Sequence, residues 1–402
     1  MIRKFTGTVS RAAARILFCG IVLPLLFMAE PFYKIRLGIL RYQRIGHLAL
    51  NTDAFLRRQQ LNGVPPRTFY LFAVHDPANQ QLLEMYKRHL NIWESRLFTR
   101  LMFAWRPILS HTRFWEPLDW TFLNKSGRIY ELMNSTGKTL EFTPEEEARG
   151  RAELARMGIG EDDWFVAFHA REAAYFRHWR PEMTGHWDER DFKNCSVENY
   201  LKAAEYITER GGFAIRMGAF SEIPLPDTGN PRIIDYATEY RSDFMDVYLC
   251  AKCRFFLASS SGLNAVSAVF DVPVAVANFY APTGGLYHEY DLMTLRRILR
   301  QADGKIVSFP EAINAGFFSK NFGASASDGL NVFDFEENNP DEIYELCQDM
   351  FDKLDGVEAP AEALELQDRF VEEYLSHHPD GHLISKLGPT FAVKNRELLF
   401  PE

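Results

Sequence analysis

RFFLASSSGLNAVSAVFDVPVAVA, residues 254–277, is the stretch of sequence that decides the fold. It opens with a short apolar strand over 254–258 and turns through the small polar residues 259–262. A helical pattern over 263–270 and a second apolar strand over 272–277 follow. Two apolar strands joined by a helix predict a βαβ unit, whose strands are parallel and buried on both faces.

The same alternation extends outward in both directions along the chain. Further apolar strands are predicted at 34–42, 69–74, 164–169 and 213–217. Amphipathic helices are predicted at 48–60, 80–91, 197–210 and 242–251, and two terminal helices at 340–354 and 361–377. Residues 92–135 have no clean period, and we expect them to be helical. The sequence therefore predicts an α/β protein with doubly wound parallel sheets and C-terminal helices.

The length of 402 residues predicts two domains, because a domain typically contains about 100–200 residues. Thr143 precedes Pro144 and three glutamates, a pattern typical of a helix start, and this helix is expected to link the halves. We predict an N-terminal segment, two Rossmann-like domains and a helical C-terminus. Their bounds are 1–33, 34–158, 159–330 and 331–402.

Charge and cysteine content exclude several classes of protein. A net charge of −9 and a pI near 5.7 give no basic surface for nucleic acid. Five cysteines do not indicate a disulfide framework. Cys250 and Cys253 have the spacing of metal ligands, but no second such pair follows, and we interpret them as buried apolar side chains.

The N-terminus contains an uncharged apolar run, residues 16–29, with basic residues before and after it. At 1.5 Å per residue the run is about 21 Å long, shorter than a hydrocarbon core of about 30 Å, and Pro24 interrupts it. Phe27 does not suit the small-residue position of a signal cleavage site. The pattern predicts an interfacial anchor on an anionic membrane, and a buried core helix is the alternative.

Candidate binding residues follow the predicted strands of the second half, because open α/β sheets bind ligands at the carboxyl ends of their strands. His169 ends one strand and Arg171 follows it. An arginine fork suits a diphosphate, and the histidine could fix backbone or contact a phosphate. The alternative is that Arg171 pairs with its neighbour Glu172.

The next strand ends supply two further anion sites. Arg216 and Gly218 end and follow one strand, and the glycine lets backbone approach closely. Small hydroxyl residues and a glycine then precede a helix and predict a phosphate nest, with a ligand-free serine cap as the alternative; these residues are Ser259, Ser260, Ser261 and Gly262. Asp235 and Asp243 are candidates for sugar or ribose hydroxyls, although Asp243 equally suits a helix cap.

In the first half, His47 is a candidate general base, because its ordinary pKa lies near neutral pH. A structural role is the alternative, and Asp53 and Asp76 compete for the same function. The sequence contains no GxGxxG, GxxxxGK[ST] or HExxH motif. Asp334 and Glu336 imitate a metal-binding acidic pair, but they lie in an acidic run for which solvation is the simpler explanation.

Taken in order, these motifs resemble a family of bacterial surface-polysaccharide glycosyltransferases over roughly residues 35–300. The matching segments are 44–49, 79–83, 168–172, 215–218, 234–236, 240–243 and 259–262. The His-Ala-Arg segment is also similar to the His-x-Arg motif with which fucosyltransferases hold a diphosphate. Those enzymes typically continue with a second arginine or an aspartate, where this chain has Glu172 and Ala173.

The resemblance implies a GT-B fold in which domain 34–158 binds the acceptor and domain 159–330 binds a nucleotide-sugar. The expected function is transfer of that sugar to a lipid-linked or oligosaccharide acceptor at the cytoplasmic face of the inner membrane, without a cofactor or metal. Arg171 and His47 are the expected catalytic residues. A nucleotide-sugar epimerase and a membrane-bound, non-catalytic scaffold are the alternatives.

Overall fold

The computed structural model describes residues 11–118, 128–172, 194–279, 286–315, 332–377 and 386–401. Its contacts divide the chain into two compact units. The first contains Met1–Leu123 with Ser135–Glu141, and the second contains Asn124–Asn134 with Phe142–Glu402.

The first unit is built on a parallel sheet of three strands in the order β1-β2-β3. The strands are β1 (Lys34–Ile39), β2 (Thr68–Val74) and β3 (Ile92–Glu94). The helices are α1 (Arg11–Ala29), α2 (Ile45–Asn62), α3 (Gln80–Lys87) and α4 (Arg96–Leu109). Strands 34–42 and 69–74 are thus confirmed, and the region expected to be helical from residue 92 begins instead with β3.

The second unit contains a seven-stranded sheet in the order β12-β9-β8-β7-β4-β5-β6, in which every neighbouring pair is parallel. Its strands are β4 (Phe165–His169), β5 (Phe213–Arg216), β6 (Ile233–Ile234), β7 (Phe256–Ala258), β8 (Val274–Phe279), β9 (Leu292–Leu295) and β12 (Lys386–Leu387). Strands β10 (Arg297–Arg300) and β11 (Phe333–Glu336) form a separate antiparallel pair. The predicted α/β class with parallel, doubly wound sheet structure is confirmed.

Helices of the second unit begin where the sequence supplies caps. Thr143 and Glu146 form a capping box, and the Ser242 side chain accepts from the N–H of Met245. The helices are α5 (Arg128–Ser135), α6 (Pro144–Arg156), α7 (Leu201–Glu209, preceded by a 3₁₀ turn Val197–Tyr200), α8 (Tyr236–Glu239), α9 (Asp243–Lys252), α10 (Gly262–Val269) and α11 (Phe309–Asn314). The C-terminal helices are α12 (Pro340–Leu354), α13 (Ala361–His377), α14 (Pro389–Lys394) and α15 (Arg396–Leu399), of which the first two have the predicted bounds.

The core of the second unit lies between its sheet and the helices α7 and α12. Phe168 of β4, Phe255 before β7 and Phe351 of α12 are fully buried in it. Large apolar side chains of this kind each stabilise a fold by about 1.5–3 kcal/mol when buried. The C-terminal helix α12 therefore completes the core of this sheet and is not a separate layer.

The observed division differs from the predicted boundary at residue 158, because α6 belongs to the second unit. Gly150 of α6 lies directly beneath the ring of Tyr248 on α9. Glu147 of α6 also accepts a hydrogen bond from Lys252 at 2.6 Å. These contacts pack α6 against α9. No local sequence pattern predicts this pairing of helices.

Candidate functional site

The sheet of the second unit reverses its winding direction between β4 and β7. From β4 the chain proceeds to β5 and β6 on one side, and then returns to β7 and β8 on the other side of β4. Such a topological switch point opens a crevice at the carboxyl ends of the two strands, where ligands bind in doubly wound folds. Residues 170–172 and 259–262 are the segments that leave β4 and β7 at this point.

Ser259 joins these two segments. Its N–H donates to the carbonyl of His169 at 3.0 Å, and its Oγ accepts from the N–H of Arg171 at 2.9 Å. The side chain is fully buried. Ser259 therefore fixes the backbone from which Arg171 projects, rather than presenting its hydroxyl to solvent as a donor-binding group.

The amino end of α10 lies at the same crevice. Ser260 and Ser261 are partly buried, and Gly262 is exposed. Ser261 is the residue that precedes the helix, and its side chain makes no capping hydrogen bond. The first N–H groups of a helix carry partial positive charge and are suited to an anion. Of the phosphate nest predicted at residues 259–262, residues 260–262 therefore lie where they can bind an anion, whereas Ser259 does not.

His169, the last residue of β4, is a neutral acceptor. Its Nδ1 lies 2.8 Å from the carbonyl oxygen of Met217, which can only accept, so Nδ1 carries the hydrogen. Burial, with smaller contributions from the nearby charges of Arg216 and Arg171, lowers the pKa of His169 to about 4. The remaining nitrogen, Nε2, therefore accepts hydrogen bonds at neutral pH. It suits a hydroxyl group better than a phosphate.

Arg171 is partly buried where the chain leaves β4. The alternative interpretation paired Arg171 with its neighbour Glu172, but the Glu172 carboxylate accepts a hydrogen bond from Arg216 at 2.5 Å. Arg171 keeps the position at the switch point that the sequence predicts.

Arg216 is not at the surface of the site. Its side chain is 1% exposed and donates to Glu172, to Asp235 at 3.1 Å and to the carbonyl of Ile223 at 2.7 Å. Asp235 in turn accepts from the N–H of Leu225. This corrects the expectation that Arg216 presents its guanidinium, and Asp235 its carboxylate, to a donor. Both side chains instead connect the ends of β4, β5 and β6 beneath the crevice.

Gly218 and Asp243 have local structural explanations. A Cβ at Gly218 would lie 2.6 Å from the Ser221 Oγ and 3.3 Å from the Ala237 Cβ, so glycine allows the loop after β5 to pack closely. Asp243 begins α9 and pairs with Arg241 at 3.0 Å. Asp243 thus lies in the first turn of α9, directly after the capping residue Ser242, where a carboxylate complements the positive end of the helix dipole.

The sequence analysis assigned no role to two residues near these strand ends. Phe220, in the loop after β5, has a φ of +62° and is 42% exposed. The guanidinium carbon of Arg241, in the loop after α8, lies 5.9 Å from the centre of its ring. Left-handed backbone at a bulky residue is strained and is often associated with function. Arg241 lies in the matched segment 240–243, whereas nothing in the sequence marks the backbone of Phe220.

In the first unit, the predicted acceptor-side residues lie on α2, which follows β1, and in the loop after β2. His47 lies in the first turn of α2, and Asp76, with a φ of +45°, has a side chain 79% exposed. Asp53 is fully buried and accepts from Arg57 Nε at 2.6 Å and from Thr139 Oγ1 at 2.5 Å. Asp53 is therefore a structural residue, which leaves His47 and Asp76 as candidate bases.

Within the described ranges, no group of three or more His, Cys, Asp or Glu side chains could hold a metal ion. Cys250 and Cys253 are buried as predicted, and burial raises the pKa of both thiols. Asp334 and Glu336 are exposed on the same face of β11, which confirms that they form a solvated surface.

Comparisons with solved structures give the following similarities. A glycosyltransferase family 9 protein from Veillonella parvula has 12% identity and a TM-score of 0.45, with 80% of this chain and 98% of that chain covered. The Escherichia coli ADP-heptose lipopolysaccharide heptosyltransferase II has 12% identity and a TM-score of 0.42, with 65% and 90% covered. The E. coli heptosyltransferase WaaC with ADP has 11% identity and a TM-score of 0.34, with 65% and 91% covered. No protein-family model and no curated protein matches the chain.

Proposed function

We propose that this chain is a GT-B glycosyltransferase that transfers a sugar from a nucleoside-diphosphate sugar to a lipid-linked or oligosaccharide acceptor of surface polysaccharide or lipopolysaccharide. The donor binds to the second unit and the acceptor to the first. The observation that carries the proposal is the meeting of Arg171, neutral His169 and the amino end of α10 at the β4/β7 switch point. These groups match the charge and hydroxyls of a nucleotide-sugar.

Cleavage of the bond between the sugar and the diphosphate leaves negative charge on the diphosphate. Arg171 offers a planar, permanently charged fork that can bind two phosphate oxygens at once. The first N–H groups of α10 add partial positive charge that is already oriented before the reaction. Preorganised groups of this kind usually give the largest single contribution to catalysis.

The attacking acceptor hydroxyl needs a base, and His47 is the proposed one. It lies just beyond β1 in the first unit, and Asp76 is the competing candidate. His47→Gln should lower turnover while the melting temperature changes little. Asp53→Asn is the matched control: it breaks a buried pair and should lower stability instead. Unchanged turnover in His47→Gln would transfer the assignment to Asp76.

Transfer should not require a metal, since arginine and helix N–H groups neutralise the diphosphate in this proposal. Activity should therefore survive EDTA. Loss of activity that manganese or magnesium restores would contradict this part of the proposal.

Donor binding can be tested before any acceptor is known. The melting temperature of the full chain is measured with UDP-, GDP-, ADP- and CMP-sugars, because a ligand of the folded state raises it by mass action. One nucleotide class should raise the melting temperature of the wild type and raise it much less in Arg171→Ala. No shift with any of them would favour the non-catalytic scaffold. Conversion of the donor without an acceptor would favour the epimerase.

A further inference from the structure

One side of α1 packs against α4 within the first unit and is hydrogen-bonded to it. The indole N–H of Trp105 donates to the carbonyl of Ala14 at 2.9 Å, and Arg15 Nε donates to the carbonyl of Ala104 at 3.0 Å. Phe18, fully buried, stacks on Trp105 with ring centres 5.1 Å apart. Near the other end of α1, the ring of Phe27 contacts that of Phe114 at 4.9 Å. The helix therefore lies along the unit over most of its length.

The other side of α1 is exposed and apolar. Only 11% of its most apolar stretch is buried, so α1 is not the core helix that the sequence left open. The exposed fractions of Ile16, Met28 and Phe32 are 74%, 69% and 67%. Contiguous apolar surface of this kind is rare on soluble proteins and marks a binding surface.

The apolar surface continues onto β3 and α4. Leu97 is 70% exposed and Phe103 43%. Aromatic contacts connect the two parts. Trp93 stacks on Phe98 with ring centres 4.4 Å apart, and Phe98 meets Trp105, next to Phe18, edge to face at 6.5 Å. Of the 21 large apolar side chains that are exposed in the described part of the chain, 11 lie in 16–33 and 93–103. We name residues 11–33 and 93–113 the α1–α4 face.

The charge of the α1–α4 face is opposite to that of the chain. The face contains six arginines and two acidic residues, Glu30 and Glu94, although the whole chain has a net charge of −9. The arginines of the face are exposed and lie on both helices and just after α4: Arg11, Arg15, Arg96, Arg100, Arg106 and Arg113. Arginines around exposed aliphatic and aromatic side chains complement a bilayer that contains anionic lipid.

We propose that the α1–α4 face docks in the plane of an anionic bilayer, with both helices contributing and neither spanning it. A spanning α1 would have to leave Trp105 and Phe114, and its uncharged run is about 21 Å long against a core of about 30 Å. The cytoplasmic leaflet, whose surface potential is negative, is the expected membrane. This attachment goes beyond sugar transfer and does not depend on it.

Cys19 provides a natural probe, because it is exposed on α1 whereas the other four cysteines are buried. The full chain is labelled there with an environment-sensitive thiol dye and mixed with vesicles of phosphatidylcholine, with or without phosphatidylglycerol. With phosphatidylglycerol, the emission should shift to the blue and the protein should sediment with the vesicles. High salt should release part of it. Quenchers placed shallow in the bilayer should act more strongly than deep ones, and the reverse order would overturn in-plane docking.

Two double variants test the contribution of α4. Leu97→Ser with Phe103→Ser should weaken vesicle binding about tenfold or more, because both apolar side chains leave the interface. Val357→Ser with Leu364→Ser removes exposed apolar side chains from the second unit and should bind like the wild type. Melting curves establish that each variant is folded. If the Leu97/Phe103 variant bound vesicles as tightly as the wild type, α4 would not contribute to the membrane-binding face. An unshifted Cys19 label, or self-association without vesicles, would overturn docking on lipid.

Discussion

Arg216 Nη2 donates to Glu172 Oε1 at 2.5 Å, although Glu172 is the sequence neighbour of Arg171. Arg216 ends β5 and Glu172 follows β4, and these strands are adjacent and parallel. The pairing separates a structural arginine from the arginine proposed to bind the donor.

Arg216→Gln should lower the free energy of unfolding by about 3–5 kcal/mol, because it leaves the buried carboxylate of Asp235 and the partly buried carboxylate of Glu172 without their cation. Denaturant unfolding measures the loss. Arg232→Ala, an exposed change on the neighbouring β5–β6 connection, serves as the control and should cost little. A stable Arg216→Gln variant that cannot bind the donor would show instead that Arg216 is a ligand-binding residue.

His169 should make stability depend on pH. Its folded pKa of about 4 lies below the ordinary histidine value of 6.5, so the unfolded chain binds more protons between these values. The stabilisation is complete above pH 6.5 and is lost as the pH falls towards 4. It amounts to at most about 3 kcal/mol, since one pKa unit is worth about 1.4 kcal/mol.

The measurement is the difference in unfolding free energy between the wild type and His169→Gln across this pH range. The subtraction removes the opposing contributions of Asp246 and Asp349, whose pKa values are raised to about 6 by burial. A difference that does not change with pH would contradict the assignment of His169 as a buried neutral group.

The sequence predicts elements where local chemistry determines them. The capping residues Thr143 and Ser242 and the proline-started helix α12 all begin helices as expected. Pairings between distant segments are not encoded locally. The burial of Arg216 depends on which strand lies beside β4, and the membership of α6 in the second unit depends on how α9 packs against it. The switch point itself exists only once the strand order is known.

Gly150→Ala tests the packing of α6 on α9. The new Cβ would lie 2.1 Å from the ring of Tyr248, so ring or helix must move. Overpacking typically costs about 1–3 kcal/mol, more than the helix propensity of about 1 kcal/mol that alanine adds. The melting temperature should fall. Gly137→Ala is the control, because no atom lies within 4 Å of the added Cβ there. Equal melting temperatures for the two variants would refute close packing of α6 against Tyr248.

Arg171 is the residue on which the proposed chemistry depends most. Arg171→Lys keeps the positive charge but loses the planar fork, so a bidentate contact made mainly in the transition state should lower turnover far more than donor affinity. Arg171→Ala should lower both, with turnover reduced by about 10²–10³, the usual effect of removing one preorganised donor. Steady-state transfer and donor binding are measured beside a melting curve for each variant.

The backbone N–H of residue 171 donates to Ser259 whatever the side chain at this position, so the fold of the crevice should persist in each variant. Near-normal turnover in folded Arg171→Ala would remove Arg171 from the mechanism, and the amino end of α10 would remain as the candidate diphosphate site.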